Sequence, residues 1–193
     1  MKKLLIYGSK EYARVVKDLA ITCNLEFAGY IDDYSTGPEI VGDYEYVVNN
    51  FLPSSYDIVI AIGYNDLNAR WSVYRKVLKD GYSVPVIIHP NAYVRDRSKI
   101  RQGSIIMAGA IVDVNVELGE LCVLWPGVVV NHDSIIGPNT FLSPNCTVCG
   151  CVKISGNSFI GAGSVIVDHV IVPPESFVKA GEVFTGTKLS KRK

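Results

Sequence analysis

Residues 124–148 read LWPGVVVNHDSIIGPNTFLSPNCTV, and a bulky apolar residue returns at every sixth position of this stretch. The same spacing continues in both directions without interruption. It covers sixteen consecutive positions: Val94, Ile100, Ile106, Val112, Leu118, Leu124, Val130, Ile136, Leu142, Val148, Ile154, Ile160, Ile166, Val172, Val178 and Phe184. A period of six matches neither a coiled-coil heptad nor the two-residue alternation of an ordinary strand. It is typical of a parallel β-helix, in which each short strand forms one side of a coil.

A second series lies two residues before each bulky position, and all but its last member are small or β-branched. Its members are Ala92, Ser98, Ser104, Ala110, Val116, Cys122, Val128, Ser134, Thr140, Cys146, Val152, Ser158, Ser164, Val170, Ser176 and Glu182. We expect the bulky residues to fill the interior and the small ones to allow the chain to turn. The array resembles the left-handed β-helix of hexapeptide acyltransferases, in which three hexads complete a triangular coil. That resemblance implies about five coils.

The N-terminal half alternates predicted strands with predicted helices. The strands are expected at residues 3–7, 27–31, 57–62 and 84–88, the helices at 11–23 and 66–79 with Asn65 as a cap, and a short extended piece at 44–48. Such alternation predicts a parallel sheet with right-handed crossovers. We therefore predict a Rossmann-like α/β domain over residues 1–90, an all-β left-handed parallel β-helix over residues 91–187, and a basic tail over residues 188–193.

The composition excludes several classes of partner. Nineteen basic and nineteen acidic side chains give a formal net charge of zero, so neither nucleic acid nor an anionic membrane is expected as a partner. No apolar run reaches the roughly 18 residues of a membrane span, and we expect a cytoplasmic protein. Five cysteines, an odd number, do not form a disulfide framework. Cys146, Cys149 and Cys151 occupy hexad positions that face different directions, so no metal site is expected.

The first three predicted strands of the N-terminal half are followed by candidate ligand-binding residues. Gly8 to Tyr12 follow the first strand, Asp32 and Asp33 the second, and Gly63 to Asn65 the third. Ligands of parallel sheets bind at the carboxyl ends of the strands, where these segments would converge. One glycine in the first turn is not a dinucleotide fingerprint, so a nicotinamide cofactor is not expected. A nucleotide held by the helix start and a carboxylate remains open, as does the alternative of a solvated Asp32–Asp33 turn.

His132 is the strongest candidate for chemistry among the three histidines. It lies two positions after the interior residue Val130 and directly before Asp133. An imidazole oriented by a carboxylate can act as a general base for an amine or hydroxyl that attacks a thioester. The alternative is a surface histidine on a turn. His169 has a similar neighbour in Asp168 but lies near the end of the array, and we expect it to be structural.

Several segments together resemble the sialic-acid and bacillosamine type of sugar acetyltransferases. They are residues 4–19, YIDD at 30–33, AIG at 61–63, IHPNAYV at 88–94, VNHDSIIG at 130–137 and GCVKISGNSFIGAGSVI at 150–166. The NHD tripeptide inside an unbroken hexapeptide array is the most specific of these matches. The resemblance implies an N-terminal domain that binds a nucleotide-linked amino sugar. It also implies a β-helix that forms a homotrimer, with acetyl-CoA in the groove between neighbouring helices.

The resemblance also implies roles for particular residues. His132 would be the base that deprotonates the sugar amine, and Asp133 would raise its basicity in a direct transfer without a covalent enzyme intermediate. The residues implied for the nucleotide sugar are Gly8, Ser9, Lys10, Asp32, Asp33 and Gly63. Those implied for acetyl-CoA are Phe141, Lys153, Ala162 and Ala180, chiefly through backbone groups.

Some positions depart from the family pattern. Phe141 replaces a histidine common near acetyl-CoA, Trp125 replaces an asparagine near the base, and Lys10 to Tyr12 replace a glycine-rich turn with a histidine. The leading hypothesis is an acetyl-CoA-dependent N-acetyltransferase for a nucleotide-linked amino sugar of bacterial surface glycans. The alternatives are an O-acetyltransferase for a sugar or sialic acid hydroxyl, and a catalytically silent nucleotide-sugar binding protein.

Overall fold

The computed structural model describes residues 2–188, and the chain divides into two compact units, Met1–Ile87 and Ile88–Lys193. The division falls just before the predicted boundary at residue 90. Each unit has its own hydrophobic core. Within the described residues, no helix combines the length and apolar character that crossing a lipid bilayer requires.

The N-terminal unit is built on a four-stranded, fully parallel sheet. Its strands are β1 (Lys3–Tyr7), β2 (Phe27–Ile31), β3 (Ile40–Gly42) and β4 (Tyr56–Ile60), in the spatial order β3-β2-β1-β4. The helices are α1 (Glu11–Thr22), α2 (Tyr44–Asn50) and α3 (Leu67–Lys79), and a short 3-10 helix (Tyr64–Asp66) precedes α3. The apolar run of β1 is buried from Leu4 to Tyr7, as expected of a central parallel strand. The predicted parallel α/β architecture is confirmed.

Three local predictions in this unit are wrong. Residues 44–48, expected to be extended, lie in α2, because the Asp43 side chain accepts a hydrogen bond from the Tyr46 N–H and caps a helix there. The cap of α3 is Asp66, whose carboxylate accepts from the Ala69 N–H, and not Asn65. The predicted strand at 84–88 is reduced to β5 (Ile87–Ile88), which belongs to a sheet of the solenoid.

The C-terminal unit is a parallel β-solenoid of about five turns, of the left-handed β-helix type. Three flat faces make up each triangular coil. Face 1 contains β5, β7 (Ile105–Ile106), β10 (Val123–Leu124), β13 (Phe141–Leu142), β16 (Phe159–Ile160) and β19 (Phe177–Val178). Face 2 contains β6 (Tyr93–Val94), β8 (Ile111–Val112), β11 (Val129–Val130), β14 (Thr147–Val148), β17 (Val165–Ile166) and β20 (Val183–Phe184). Face 3 contains β9 (Glu117–Leu118), β12 (Ile135–Ile136), β15 (Lys153–Ile154), β18 (Val170–Val172) and β21 (Thr187–Lys188).

Successive coils are in register at a spacing of 18 residues, so that Val129 pairs with Thr147 and Val130 with Val148. The predicted interior series is buried: the members from Ile106 to Val178 are at most 1 % exposed. The small-residue series also closes hydrogen bonds between coils. The hydroxyl of Ser134, for example, accepts from the N–H of Val152 on the next coil. A buried serine is therefore tolerated because its hydroxyl is paired.

The C-terminal end departs from the predicted tail. Lys188 belongs to β21, which pairs antiparallel with β18 through Val170 and Ile171. The remaining basic residues of the predicted tail, Lys191 to Lys193, lie outside the described residues.

Candidate active site

The turns of the solenoid depend on a third series of residues, which have a left-handed backbone and were not predicted from the sequence. Every sixth residue from 103 to 181 has a left-handed backbone with φ between +54° and +76°. The positions are Gly103, Gly109, Asn115, Leu121, Gly127, Asp133, Asn139, Asn145, Cys151, Asn157, Gly163, His169, Glu175 and Gly181. Glycine, asparagine and aspartate adopt this conformation most readily, and their recurrence at this spacing was the available signal.

A glycine directly after an interior residue would suit a tight corner, but the three glycines at such positions have a different role. Gly119, Gly137 and Gly161 are outside the left-handed series. A Cβ at each of them would come within 2.7 Å of backbone atoms on the following coil. These glycines therefore allow close approach between coils and are not required by the conformation of the turn.

His132 and Asp133 form a hydrogen-bonded pair on a turn between faces 2 and 3. The His132 Nδ1 lies 2.9 Å from the Asp133 Oδ2, and the two side chains are 53 % and 49 % exposed. The other carboxylate oxygen of Asp133 accepts a bond of 3.0 Å from the Asn115 side chain, one coil earlier. Hydrogen bonds from His132 and then Asn115 hold the pKa of Asp133 below its usual value. The carboxylate is thus fixed and ionised, and it can orient the Nδ1–H tautomer of the ring.

The opposite side of the His132 ring lies against Gly150, which occupies the equivalent position on the next coil. A Cβ at Gly150 would lie 2.7 Å from both Cε1 and Nε2 of His132. The side chain of Asn131 has a structural role. Its side-chain amide donates to the Val148 carbonyl at 2.9 Å and ties adjacent coils together.

His169 differs from His132 in geometry. Its Nε2 lies 3.8 Å from the Asp168 Oδ2, beyond hydrogen-bonding distance, and both side chains are substantially exposed. The orienting bond that defines the His132 pair is therefore not formed between Asp168 and His169.

The predicted nucleotide-side residues converge at the carboxyl edge of the N-terminal sheet. β2, β1 and β4 are neighbours, so the segments after them lie side by side. The Ser9 hydroxyl donates to Asp32, and the Lys10 ammonium lies 2.9 Å from the Ser35 hydroxyl. Gly8 has φ +114°, and a Cβ there would lie 2.8 Å from the Ala61 carbonyl oxygen. A Cβ at Gly63 would meet nothing within 4 Å, so this part of the edge is open.

The two aspartates at this edge have different partners. Asp33 accepts bonds from the Tyr7 hydroxyl at 2.5 Å and the Tyr44 N–H at 2.9 Å, which fixes it to the sheet and to α2. Asp32 accepts from Ser9 and from the backbone N–H groups of Tyr34 and Ser35. Burial opposes ionisation of Asp32, but these hydrogen bonds outweigh burial and lower its pKa. Asp32 is thus a partly buried, ionised carboxylate held by the loop, whereas Asp33 is more exposed and anchors the loop to β1 and α2.

The residues implied for acetyl-CoA do not lie together on one chain. Ala162 and Ala180 are stacked on the turn between faces 1 and 2, where the Gly181 N–H bonds the Ala162 carbonyl at 2.8 Å. Lys153 lies on face 3, next to the turn that carries His132. One full side of the coil separates the two turns, roughly 15–20 Å at the ~3.3 Å rise of a strand. A single chain therefore does not bring Ala162 and Ala180 to His132.

Phe141 is not available as an exposed ligand contact in the single chain. It lies on face 1, is 3 % exposed, and its ring centroid is 6.1 Å from that of Trp125. On its other side it stacks on Phe159 at 6.0 Å, and Phe159 stacks on Phe177 at 4.8 Å. The two departures from the family pattern, Trp125 and Phe141, thus pack in one aromatic ladder.

The three clustered cysteines have separate environments. Burial raises the pKa of the Cys146 thiol to about 12, so this group behaves as a small apolar side chain. Burial, with a smaller effect of Asp168, also raises the pKa of Cys149. Cys151 alone among them approaches the candidate base, and its sulfur lies within 4.8 Å of ligand atoms of His132 and Asp133.

Comparison with known families agrees with this architecture. Residues 3–77 match the PglD N-terminal domain, and residues 115–150 match the bacterial transferase hexapeptide (six repeats). Together with the β-helix, these matches define an acyltransferase of the sugar acetyltransferase type, and the predicted resemblance is confirmed.

Similar solved structures cover nearly the whole chain. The acetyltransferase domain of PglB from Neisseria gonorrhoeae FA1090 is 26 % identical, with 98 % of this chain and 94 % of that chain covered and a TM-score of 0.89. The same domain in complex with acetyl coenzyme A gives 26 % identity, coverage of 97 % and 92 %, and a TM-score of 0.68. A mutant perosamine N-acetyltransferase from Caulobacter crescentus, in complex with CoA and GDP-perosamine, is 25 % identical, with coverage of 93 % and 94 % and a TM-score of 0.76.

Proposed function

We propose that this protein transfers an acetyl group from acetyl-CoA to the amino group of a nucleotide-linked amino sugar used in bacterial surface glycans. The observation that carries the proposal is the exposed His132–Asp133 pair, with 2.9 Å between Nδ1 and Oδ2, on a turn of a hexapeptide β-helix. Similar structures hold acetyl coenzyme A in one case, and CoA with GDP-perosamine in another.

In the proposed reaction, His132 acts as general base. With Nδ1–H bonded to Asp133, the free Nε2 accepts a proton from the sugar amine as the nitrogen attacks the thioester carbonyl. The C–N bond forms, and the tetrahedral intermediate then expels the CoA thiolate as the C–S bond breaks. The imidazolium returns its proton to that sulfur, so neither covalent enzyme intermediate nor metal is required. Such a base contributes on the order of 100- to 10,000-fold in rate.

The N-terminal unit supplies the proposed nucleotide site. Gly8, Ser9 and Lys10 present the start of α1, where backbone N–H groups and a lysine favour phosphate. The Asp32 carboxylate is held ionised and suits a ribose hydroxyl or a base N–H. Asp33 contributes by fixing the loop, since its oxygens already bond Tyr7 and Tyr44.

The coenzyme site requires more than one copy of the chain, and we propose a homotrimer. His132 and the Ala162–Ala180 pair lie on different turns of the triangle, so a groove between two neighbouring helices can bring them together. Face 2 is a suitable contact surface because its outward positions carry no charge; they are Tyr93, Ile111, Val129, Thr147, Val165 and Val183. Several are well exposed in the single chain, among them Tyr93 at 54 % and Val183 at 60 %.

The decisive experiment measures thiol release from acetyl-CoA with a panel of UDP-, dTDP- and GDP-linked amino sugars. We expect one of these amines to be acetylated, and we expect the His132→Ala variant to lose at least about 100-fold in kcat. His169→Ala is the matched control and should keep its rate. Full activity of His132→Ala with the confirmed substrate would show that the assigned base is wrong.

The same assay separates the two acetylation chemistries. Mass spectrometry before and after mild alkali distinguishes an alkali-stable amide from a labile ester. An ester product would favour the O-acetyltransferase alternative. Calorimetry with each ligand alone tests the silent alternative, which predicts nucleotide-sugar binding without acetyl-CoA binding.

A further inference from the structure

One turn of the solenoid combines three different metal-ligand side chains. Within residues 2–188, the ligand atoms of His132, Asp133 and Cys151 form a group in which all lie within 4.8 Å of one another. His132 and Asp133 are adjacent in the chain, and Cys151 is stacked on Asp133 from the next coil. The stacking is fixed by a 3.0 Å bond from the Cys151 N–H to the His132 carbonyl.

The backbone of these residues is part of the regular turn series, and their side chains are exposed at His132 and Asp133 and partly buried at Cys151. Asp133 and Cys151 both occupy left-handed positions of the turn series, with φ +58° and +57°. Ligand atoms in a tetrahedral zinc site are about 3.3–3.8 Å apart, given bond lengths of about 2.0–2.3 Å. Because the three ligand atoms already lie within 4.8 Å of one another, small side-chain rotations are enough to reach that spacing and the coils need not move.

We propose that His132, Asp133 and Cys151 form a binding site for a thiophilic divalent cation of the Zn²⁺ or Cd²⁺ class. Imidazole, carboxylate and thiolate are a ligand set that zinc accepts, and three protein ligands leave a fourth position for water. Mg²⁺ and Ca²⁺ prefer oxygen ligands and are not expected to bind.

Occupation of this site removes the proposed base. A metal ion on His132 takes the ring nitrogen that accepts the substrate proton, or takes the Asp133 oxygen that orients the ring. The cation is therefore an inhibitor in competition with the reaction, and no step of the acetyl transfer uses it. This consequence rests on the proposed role of His132, whereas the binding itself does not.

The test uses the full-length protein, stripped with a chelator and titrated with Cd²⁺. We expect one Cd²⁺ per chain and a thiolate-to-cadmium charge-transfer band in the ultraviolet. Cys151→Asn should lose the band and bind Cd²⁺ at least about tenfold more weakly, since loss of even an outer-shell partner of a metal ligand costs about 10- to 100-fold in affinity. Asparagine occupies the same left-handed position two coils earlier, at Asn115, and a left-handed position of another turn, at Asn145, so this variant is expected to fold.

Cys149→Ser is the matched control, because Cys149 is two residues away and outside the ligand group. It should keep the band and the affinity of the unaltered protein. An unchanged band in Cys151→Asn, or its loss in Cys149→Ser, would overturn the site.

Acetyl transfer by the Cd²⁺-saturated protein is expected to be abolished, and to be far less sensitive to Cd²⁺ in Cys151→Asn. Full acetyl transfer by the Cd²⁺-saturated protein would show that the bound cation does not compete with the reaction. If His132 is not the base, His132→Ala will keep full activity in the absence of metal. That result is separate from the cadmium experiments.

Discussion

At the scale of single residues, the position of the His132 ring is set from two sides, and both depend on a residue of another coil. Asp133 binds Nδ1, Asn115 holds Asp133, and Gly150 provides the surface on which the ring lies. The tripeptide Asn131–Asp133 was recognisable because its members are adjacent. Asn115, Gly150 and Cys151 lie about one 18-residue coil away, so they become neighbours only when the register is known.

Gly150→Ala tests the surface beneath the ring. The added Cβ would lie 2.7 Å from Nε2, and the backbone of Gly150 is not left-handed, so the effect is on the imidazole and not on the turn. We expect kcat to fall by about 10- to 100-fold, because a displaced base loses part of its 100- to 10,000-fold contribution. Steady-state kinetics measures this. Gly37→Ala is the control, since its Cβ would make only ordinary contacts. An unchanged kcat would show that the ring can shift without loss.

Asn115→Gly tests the support of Asp133. Glycine keeps the left-handed backbone and removes the 3.0 Å bond, so the pKa of Asp133 should rise towards its ordinary value. A carboxylate whose pKa is lowered by folding stabilises the fold at pH values above its unfolded-state pKa. This contribution is lost as the pH falls through its folded-state pKa. The stability difference between the two proteins should therefore shrink on acidification. Carboxyl NMR titration measures the pKa, and an unaltered value would show that the His132 bond is sufficient alone.

At the scale of elements, the solenoid was predictable and α2 was not. Each solenoid strand from β6 to β20 repeats the same requirement for a bulky interior residue and Ile100 adds one more, so sixteen weak signals reinforce one another. The segment YEYVVNN is rich in β-branched and aromatic residues, which favour strands locally. The helix forms because Asp43 caps it and because Tyr44 and Val47, three residues apart, are both buried. Tertiary burial thus outweighed local preference.

Asp43→Ala tests this account of α2. Loss of the bond from the Asp43 carboxylate to the Tyr46 N–H should lower the free energy of unfolding by about 1 kcal/mol. Asp43→Asn should be nearly neutral, because asparagine caps helices as well as aspartate does. Urea denaturation followed by circular dichroism measures both. Equal losses in the two variants would mean that the charge of Asp43, and not the cap, stabilises the unit.

Gly137→Ala tests the close approach between coils. The Cβ would lie 2.5 Å from the Gly156 backbone nitrogen, and a backbone atom cannot rotate away as a side chain can. We expect a loss of about 1–3 kcal/mol, the usual cost of overpacking, seen as a lower Tm by calorimetry. Gly150→Ala meets a side chain instead and should lower the Tm much less. The reverse order of the two Tm values would contradict this distinction.

At the scale of the whole molecule, the solenoid places its candidate base and its candidate coenzyme turn on different edges. His132 lies between faces 2 and 3, and Ala162 and Ala180 lie between faces 1 and 2. Each coil repeats this separation, so folding of one chain cannot remove it. Association of copies through a cyclic interface places one edge of each chain beside the other edge of its neighbour. The trimer and the acetyltransferase activity are therefore two parts of one hypothesis. The oligomeric state and the rate of acetyl transfer test it together.

Mixed trimers test this hypothesis directly. His132→Ala removes the base, and Ala162→Trp obstructs the coenzyme turn, so each variant alone should be inactive. When the two are unfolded, mixed in equal amounts and refolded, about a quarter of the interchain sites should combine an intact base with an intact turn. We therefore expect recovery of about a quarter of the activity. Mixing His132→Ala with Asp133→Asn is the control, since both changes affect the same turn and should not complement. Native mass spectrometry shows whether species of three 21.1 kDa chains have formed. Mixed trimers without recovery would place the base and the coenzyme on the same chain.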